Sequence, residues 1–263
     1  MIGAIIGDIV GSRYEVKNPK IKAFPFFTNS SCYTDDTVMT IAVGKALMQW
    51  NRNGSLQDFK EILIDTMHEL GNKHPFCGFG GRFTEWIYNK ERTPYNSYGN
   101  GSAMRVSPCG FFAKTLGEAE DLAKASAEIT HNHPEGIKGA QAVASAVFMA
   151  KSGEAKTAIK NYIESKYYRI DFTLNNIRKT YTVDVSCQGS VPQALEAFFE
   201  SVSFEDAIRN AVSIGGDTDT IASICGGIAE AYYGIDDKIK EKAFSYLDED
   251  LFDIAVEMML TIQ

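Results

Sequence analysis

Glycines stand at positions 3, 7 and 11 of the apolar opening run MIGAIIGDIVGS. A step of four keeps all three on one face of a helix, because side chains at i and i+4 lie one above the other. Strand alternation would also send an even spacing to one face, but it gives no reason for steps of four. The spacing therefore predicts a first helix with a bare face, against which a second helix packs closely. Asp8 inside the run and the lack of a basic segment before it argue against a secretory signal, and the run is too short to span a bilayer. The segment is expected to be buried rather than cleaved.

Further along, helical patterns follow one another without alternating strand and helix units, so the expected class is all-α, a compact single domain over residues 1–263. After a polar loop containing Glu15, a helix is predicted from the Thr34 cluster to Trp50, with Val38, Ile41, Ala42 and Ala46 as its apolar stripe. Ser55 caps a helix ending near Gly71, and a short helix is predicted around Phe83 to Tyr88. The glycine-rich stretch around Asn100 leads into a small-residue helix, a pattern suited to holding phosphate through backbone N–H groups but weak on its own. Helices are predicted at Leu116 to Ile129, Glu135 to Lys151, Val191 to Ser201, Phe204 to Ser213, from IGGDTDT to Tyr233, Asp236 to Leu247 and Leu251 to Ile262. Between Tyr167 and Gln188 the pattern is irregular and fits either a short helix or extended chain; Thr180 to Val183 has strand character.

The formal charge of −8, without a dense Lys/Arg run, argues against non-specific binding to nucleic acid or anionic membrane. An anionic substrate would need local compensation from metal ions or helix N-termini. Five scattered cysteines, odd in number and without a C-x-x-C pair, favour a reducing cytoplasm, and they are expected to pack as small hydrophobes.

Two acidic motifs carry the chemistry. Thr34, Asp35, Asp36 and Thr37 open one apolar helix, and Gly215, Gly216, Asp217, Thr218, Asp219 and Thr220 open another. Either motif alone is ordinary capping, since Asp and Thr oxygens accept from free N–H groups at the positive end of a helix. If the fold brings them together, four carboxylates converge, and that is unfavourable unless cations sit among them. Thr34, Asp35, Asp36, Asp217, Asp219 and Thr220 supply the oxygen ligands that hard divalent cations prefer. On a regular helix Asp217 and Asp219 would diverge, so Asp217 is placed in the glycine turn before it. His131 and His133 flank a helix entry and read either as capping residues or as a substrate contact. No Ser-His-Asp order, P-loop or dinucleotide fingerprint is present.

Together these residues give the chain a resemblance to the ADP-ribosylglycohydrolase family. It is carried by GAIIGDIVGSRYE at 3–15, YTDDTVMT at 33–40, GNGSAMR at 99–105, THNHPEG at 130–136 and SIGGDTDTIASICGGIAEAYYG at 213–234. The resemblance implies an all-α fold with two Mg²⁺ or Mn²⁺ ions held by Thr34, Asp35, Asp36, Asp217, Asp219 and Thr220, with Asp219 bridging. It also implies that Glu15 stands where some relatives carry a mobile glutamate near the second metal. The loop Ser97, Tyr98, Gly99, Asn100, Gly101, Ser102 would wrap a diphosphate and its ribose, and His131 would approach the substrate.

The expected reaction is hydrolysis of the bond between the distal ribose of ADP-ribose and an acceptor, on an ADP-ribosylated protein or an ADP-ribose-containing small molecule. Asp36, Glu15 and Asp219 are the expected catalytic residues, Asp36 or Glu15 holding the water that attacks C1. Two other readings use the same residues: hydrolysis of another ADP-ribose-like or nucleotide metabolite, and a non-catalytic binding or structural member of the fold. The acidic set is complete, which a non-catalytic relative is free to lose. The stretch from Asn72 to Thr84 holds no carboxylate to meet an arginine guanidinium, although Glu85 follows it, so no acceptor is singled out.

Overall fold

The structure, a computed structural model, describes residues 1–262. Among them the chain forms helices α1 (Ile2–Ser12), α2 (Asp35–Gln49), α3 (Leu56–Lys73), α4 (Gly81–Tyr88), α5 (Gly101–Met104), α6 (Ser107–Phe112), α7 (Leu116–Glu128) and α8 (Pro134–Lys151). It continues with α9 (Lys156–Lys166), α10 (Leu174–Ile177), α11 (Cys187–Phe199), α12 (Phe204–Ser213), α13 (Thr218–Tyr233), α14 (Asp237–Phe244) and α15 (Glu249–Thr261). No strand forms among the described residues; one isolated bridge pairs Gly99 with Ser186. The all-α class holds.

Helix α13 is the axis of the molecule, packed by α1, α8, α11 and α12. Its residues from Thr218 to Ala229 are all buried, as are those of α1 from Ile2 to Gly11. A helix apolar all round belongs in the interior. The glycine face of α1 is the reason the two can lie together: Gly3, Gly7 and Gly11 stand against Gly226, Ala222 and Thr218, an antiparallel register. A Cβ on Gly7 would sit 2.0 Å from the Ala222 carbonyl oxygen, closer than any side chain allows.

Caps place most of the other helix starts. Thr34 accepts from the Asp36 N–H at the head of α2, and Ser55 and Asp58 form a reciprocal capping box on α3. His133 caps α8 by accepting from the Glu135 N–H, ahead of Pro134 in the first turn. His133 thus serves as a cap.

Two expectations are adjusted. The helix predicted from Val191 begins earlier, at Cys187, because Ser186 caps it and Pro192 is tolerated inside it. Thr180 to Val183 makes no strand, since it finds no partner edge; the chain runs irregularly after α10 and lays Tyr181 against the glycine turn before α13. Of the cysteines, Cys109, Cys187 and Cys225 are buried as expected, whereas Cys32 is exposed and Cys77 half-buried.

Candidate metal centre

The two acidic motifs meet. Their helices start side by side because α1 lies against both α13 and α2. Thr220 Oγ1 in the first turn of α13 donates to Asp36 Oδ2 in the first turn of α2 at 3.1 Å. Asp217 lies outside the helix as its N-terminal flanking residue, following Gly215 and Gly216 at φ of 70° and 80°. Two successive left-handed residues are readily adopted only by glycine. Lys20 fastens this turn through Nζ donation to the Ile214 and Tyr181 carbonyls at 2.5 and 2.6 Å.

One carboxylate oxygen each from Asp8, Asp36 and Asp219 fall within 4.8 Å of one another, and so do oxygens from Glu15, Asp217 and Asp219. Asp219 belongs to both groups. Burial and the neighbouring Asp219 charge push the Asp36 carboxyl well above the usual range, and burial with Asp217 does the same to Asp219. Burial, with Asp8 and Asp217 nearby, raises Asp35 to about 7. Glu15, exposed beyond the end of α1, is raised by desolvation and by Asp217. Asp36 Oδ1 is buried without any hydrogen-bond partner, so this oxygen lacks the compensation that a buried charge requires. Carboxylates crowded together, with no salt bridge to any of them among the described residues and one oxygen orphaned, fit a pair of hard divalent cations. The oxygen-only donor set suits Mg²⁺ or Mn²⁺.

Asp8 was not singled out as a site residue by the sequence. Wholly buried, it accepts from the Thr34 N–H at 2.8 Å, Thr34 Oγ1 at 2.7 Å, the Thr37 N–H at 3.0 Å and Thr37 Oγ1 at 2.5 Å. It thereby fixes the first turn of α2, and with it Asp35 and Asp36. Burial, only partly offset by these donors, raises its carboxyl to about 6. The signal lay in its position: a carboxylate directly after Gly7 in a stretch too apolar to be exposed must find internal donors.

A cavity of about 470 Å³ opens on these groups. Glu15, Thr34, Asp35, Asp36, Asp217, Asp219 and Thr220 line it, as do Ser97, Gly99, Asn100, Gly101 and His131 from the expected substrate set. Two members of that set stand apart from the lining: Tyr98 packs its ring against His133, 5.4 Å between centroids, and buried Ser102 donates to the Gly136 carbonyl at 2.7 Å. Asn100 Nδ2 donates to Asp217 Oδ2 at 2.6 Å and so links the loop to the acidic centre. His131 is buried, its Nδ1 2.8 Å from Thr130 Oγ1, and burial together with Arg105 and Arg82 holds its pKa well below the usual value. Its Nε2 stands beside Gly101, where a Cβ would approach within 3.1 Å. Arg82, Phe83, Tyr95 and Arg105 complete one wall. None of these four was singled out as a site residue.

An all-α frame with an acidic centre built on two helix starts defines the class, and the family model for ADP-ribosylglycohydrolase matches residues 1–261. The chain belongs to the ADP-ribosylglycohydrolase family, enzymes that hydrolyse a glycosidic bond. It is 27% identical over 315 residues to the ADP-ribosylhydrolase ARH3 of Homo sapiens, covering 90% of this chain and 85% of that one. To the ADP-ribosyl-[dinitrogen reductase] glycohydrolase of Rhodospirillum rubrum it is 29% identical over 220 residues, 78% and 70% of the respective chains. Among solved structures, an ADP-ribosylglycohydrolase-related protein complex shares the fold with a TM-score of 0.69 at 22% identity, covering 100% of this chain and 97% of that one.

Proposed function

We propose that this protein hydrolyses, with two Mg²⁺ or Mn²⁺ ions, the bond joining the distal ribose of an ADP-ribosyl group to its acceptor. The acceptor is a protein side chain or a small molecule. The observation that carries the reading is the sharing of Asp219 by two three-carboxylate groups drawn from distant motifs, at the floor of a cavity that also receives the Asn100 loop. Asp8 orders the helix start that carries Asp35 and Asp36.

Thr34, Asp35, Asp36, Asp217, Asp219 and Thr220 would hold the ions, with Glu15 beside the second. Bound there, the ions would supply Lewis acidity and would orient the ribose hydroxyls. The protein's own part is positional and electrostatic. Asp36, with one unpartnered oxygen, and Glu15, exposed at the edge of the cavity, are the groups able to take a proton from the attacking water. His131, kept neutral by its surroundings, offers hydrogen bonding without adding positive charge. Asn100 holds Asp217 in place while its loop encloses the ligand.

No helix of the described residues is long and apolar enough to cross a membrane. The five unpaired cysteines support a cytoplasmic location in our reading. The test is release of ADP-ribose from arginine-linked, serine-linked and acetylated ADP-ribose substrates, followed by chromatography with Mg²⁺, Mn²⁺ or EDTA. Metal-dependent release from at least one substrate is expected. Release unaffected by EDTA would remove the metals from the reading, and no release from any substrate would overturn it.

A further inference from the structure

Resting on that reading of the cavity, a second group of charges bears on what else the ligand must carry. Apart from the carboxylates, the lining contains two guanidinium groups, Arg82 and Arg105. Arg105 is buried, with Nη2 donating to the Ser126 carbonyl at 2.7 Å and Thr130 Oγ1 at 2.9 Å, and its Nε has no partner. Arg82 is exposed at the rim; one Nη donates to the Tyr95 carbonyl, and its guanidinium carbon lies 4.8 Å from the Tyr95 ring centroid. Among the described residues no carboxylate forms a salt bridge with either arginine. Two cations without counter-ions, in a protein of formal charge −8, mark a place where an anion is expected to bind.

The loop Ser97 to Ser102, expected to hold a diphosphate, has two of its backbone N–H groups already committed within the protein. Its Gly99 N–H is committed to Ser97 Oγ at 3.1 Å and its Asn100 N–H to the Val185 carbonyl at 2.8 Å. Backbone N–H groups of this loop therefore supply less compensation than the glycine-rich sequence suggests. We propose that Arg82 is a specificity-determining residue that binds a phosphate of the substrate's diphosphate, with buried Arg105 biasing the same wall towards anions. Stacking on Tyr95 holds the guanidinium plane, and the remaining N–H groups of its five are available to a phosphate in the forked geometry that lysine lacks.

The experiment is calorimetric titration of ADP-ribose into the magnesium-loaded wild type, Arg82→Gln and Arg82→Lys at low and high salt. At low salt Arg82→Gln is expected to bind about tenfold or more weakly, as for a lost charge-assisted hydrogen bond, with Arg82→Lys in between. At about 1 M salt the gap between wild type and Arg82→Gln is expected to narrow, because exposed charges are screened. Equal affinity at low salt would overturn the proposal. So would a gap that persists unchanged at high salt, because that is the signature of a structural tether on Tyr95. Failure of the wild type to bind ADP-ribose at all would instead overturn the functional reading beneath it, and this assignment with it.

Discussion

Thr220 Oγ1 donates a hydrogen bond to Asp36 Oδ2 across 3.1 Å, joining two helix starts 184 residues apart in the chain. Each start alone is a competent cap. Joined, they surround one point with buried carboxylates, whose desolvation and mutual repulsion are a liability in the metal-free fold.

Relieving that repulsion should separate stability from function. Asp219→Asn removes one charge from both carboxylate groups, so in EDTA the variant is expected to melt a few degrees above the wild type, the scale of about 1 kcal/mol in a chain of this size. Its turnover and its thermal gain on adding Mg²⁺ should both be lost, as should those of Asp36→Ala. Differential scanning fluorimetry with and without metal measures this. A variant that gains as much from Mg²⁺ as the wild type would remove Asp219 from the centre.

Asp8 acts through α2. Asn at this position can accept from Thr34 and Thr37 with one atom only and turns an amide N–H₂ towards donors. Metal affinity of Asp8→Asn is expected to fall about 10- to 100-fold, the usual scale for losing a group that orients ligands. Titration of the apoprotein with Mn²⁺, read by electron paramagnetic resonance, gives the comparison; unchanged affinity would refute the role.

The α1–α13 seam leaves no room for a methyl group. Gly7→Ala must push a Cβ into the Ala222 carbonyl, so the helices must part, and a loss of about 3 kcal/mol is expected in urea unfolding. Because α1 also carries Asp8, the metal-induced gain in stability should shrink with it. A loss below about 1 kcal/mol would mean that the seam relaxes easily.

Proton binding gives a sign that the metal should reverse. Asp35 is raised to about 7 and Asp8 to about 6, above the 3.8 of an ordinary aspartate. The folded metal-free protein thus binds protons more tightly than the unfolded chain, and this contribution is full below the unfolded value and lost as pH rises through the folded one. Urea midpoints in EDTA are therefore expected to decline between about pH 4 and pH 7 on account of these groups. Saturating Mg²⁺ should flatten or invert the trend, because metal binding requires the carboxylates ionised. A metal-free profile that rises across this window would show that other groups dominate.

Local sequence was sufficient for everything decided within a few residues. The four-residue glycine step fixed a helix with one bare face, the caps at Thr34 and Ser55 fixed where two others begin, and Gly215 and Gly216 fixed a turn that only glycine adopts readily. The motif residues also named the oxygen donors. Tertiary structure decided what those donors share. Asp8 reads in sequence as one polar interruption of an apolar run, and only the closeness of α1 and α2 sets four donors from Thr34 and Thr37 around it. Arg82 and Arg105 gain meaning from forming no salt bridge among the described residues although they line a cavity, which no local pattern records. Thr180 to Val183 has the composition of a strand, yet β-propensity reflects fit to a pleated surface, and the described residues form no sheet to receive it. The seam of three glycines determined that another helix would lie against α1; the fold determined that it would be α13, and so brought Asp219 to Asp36.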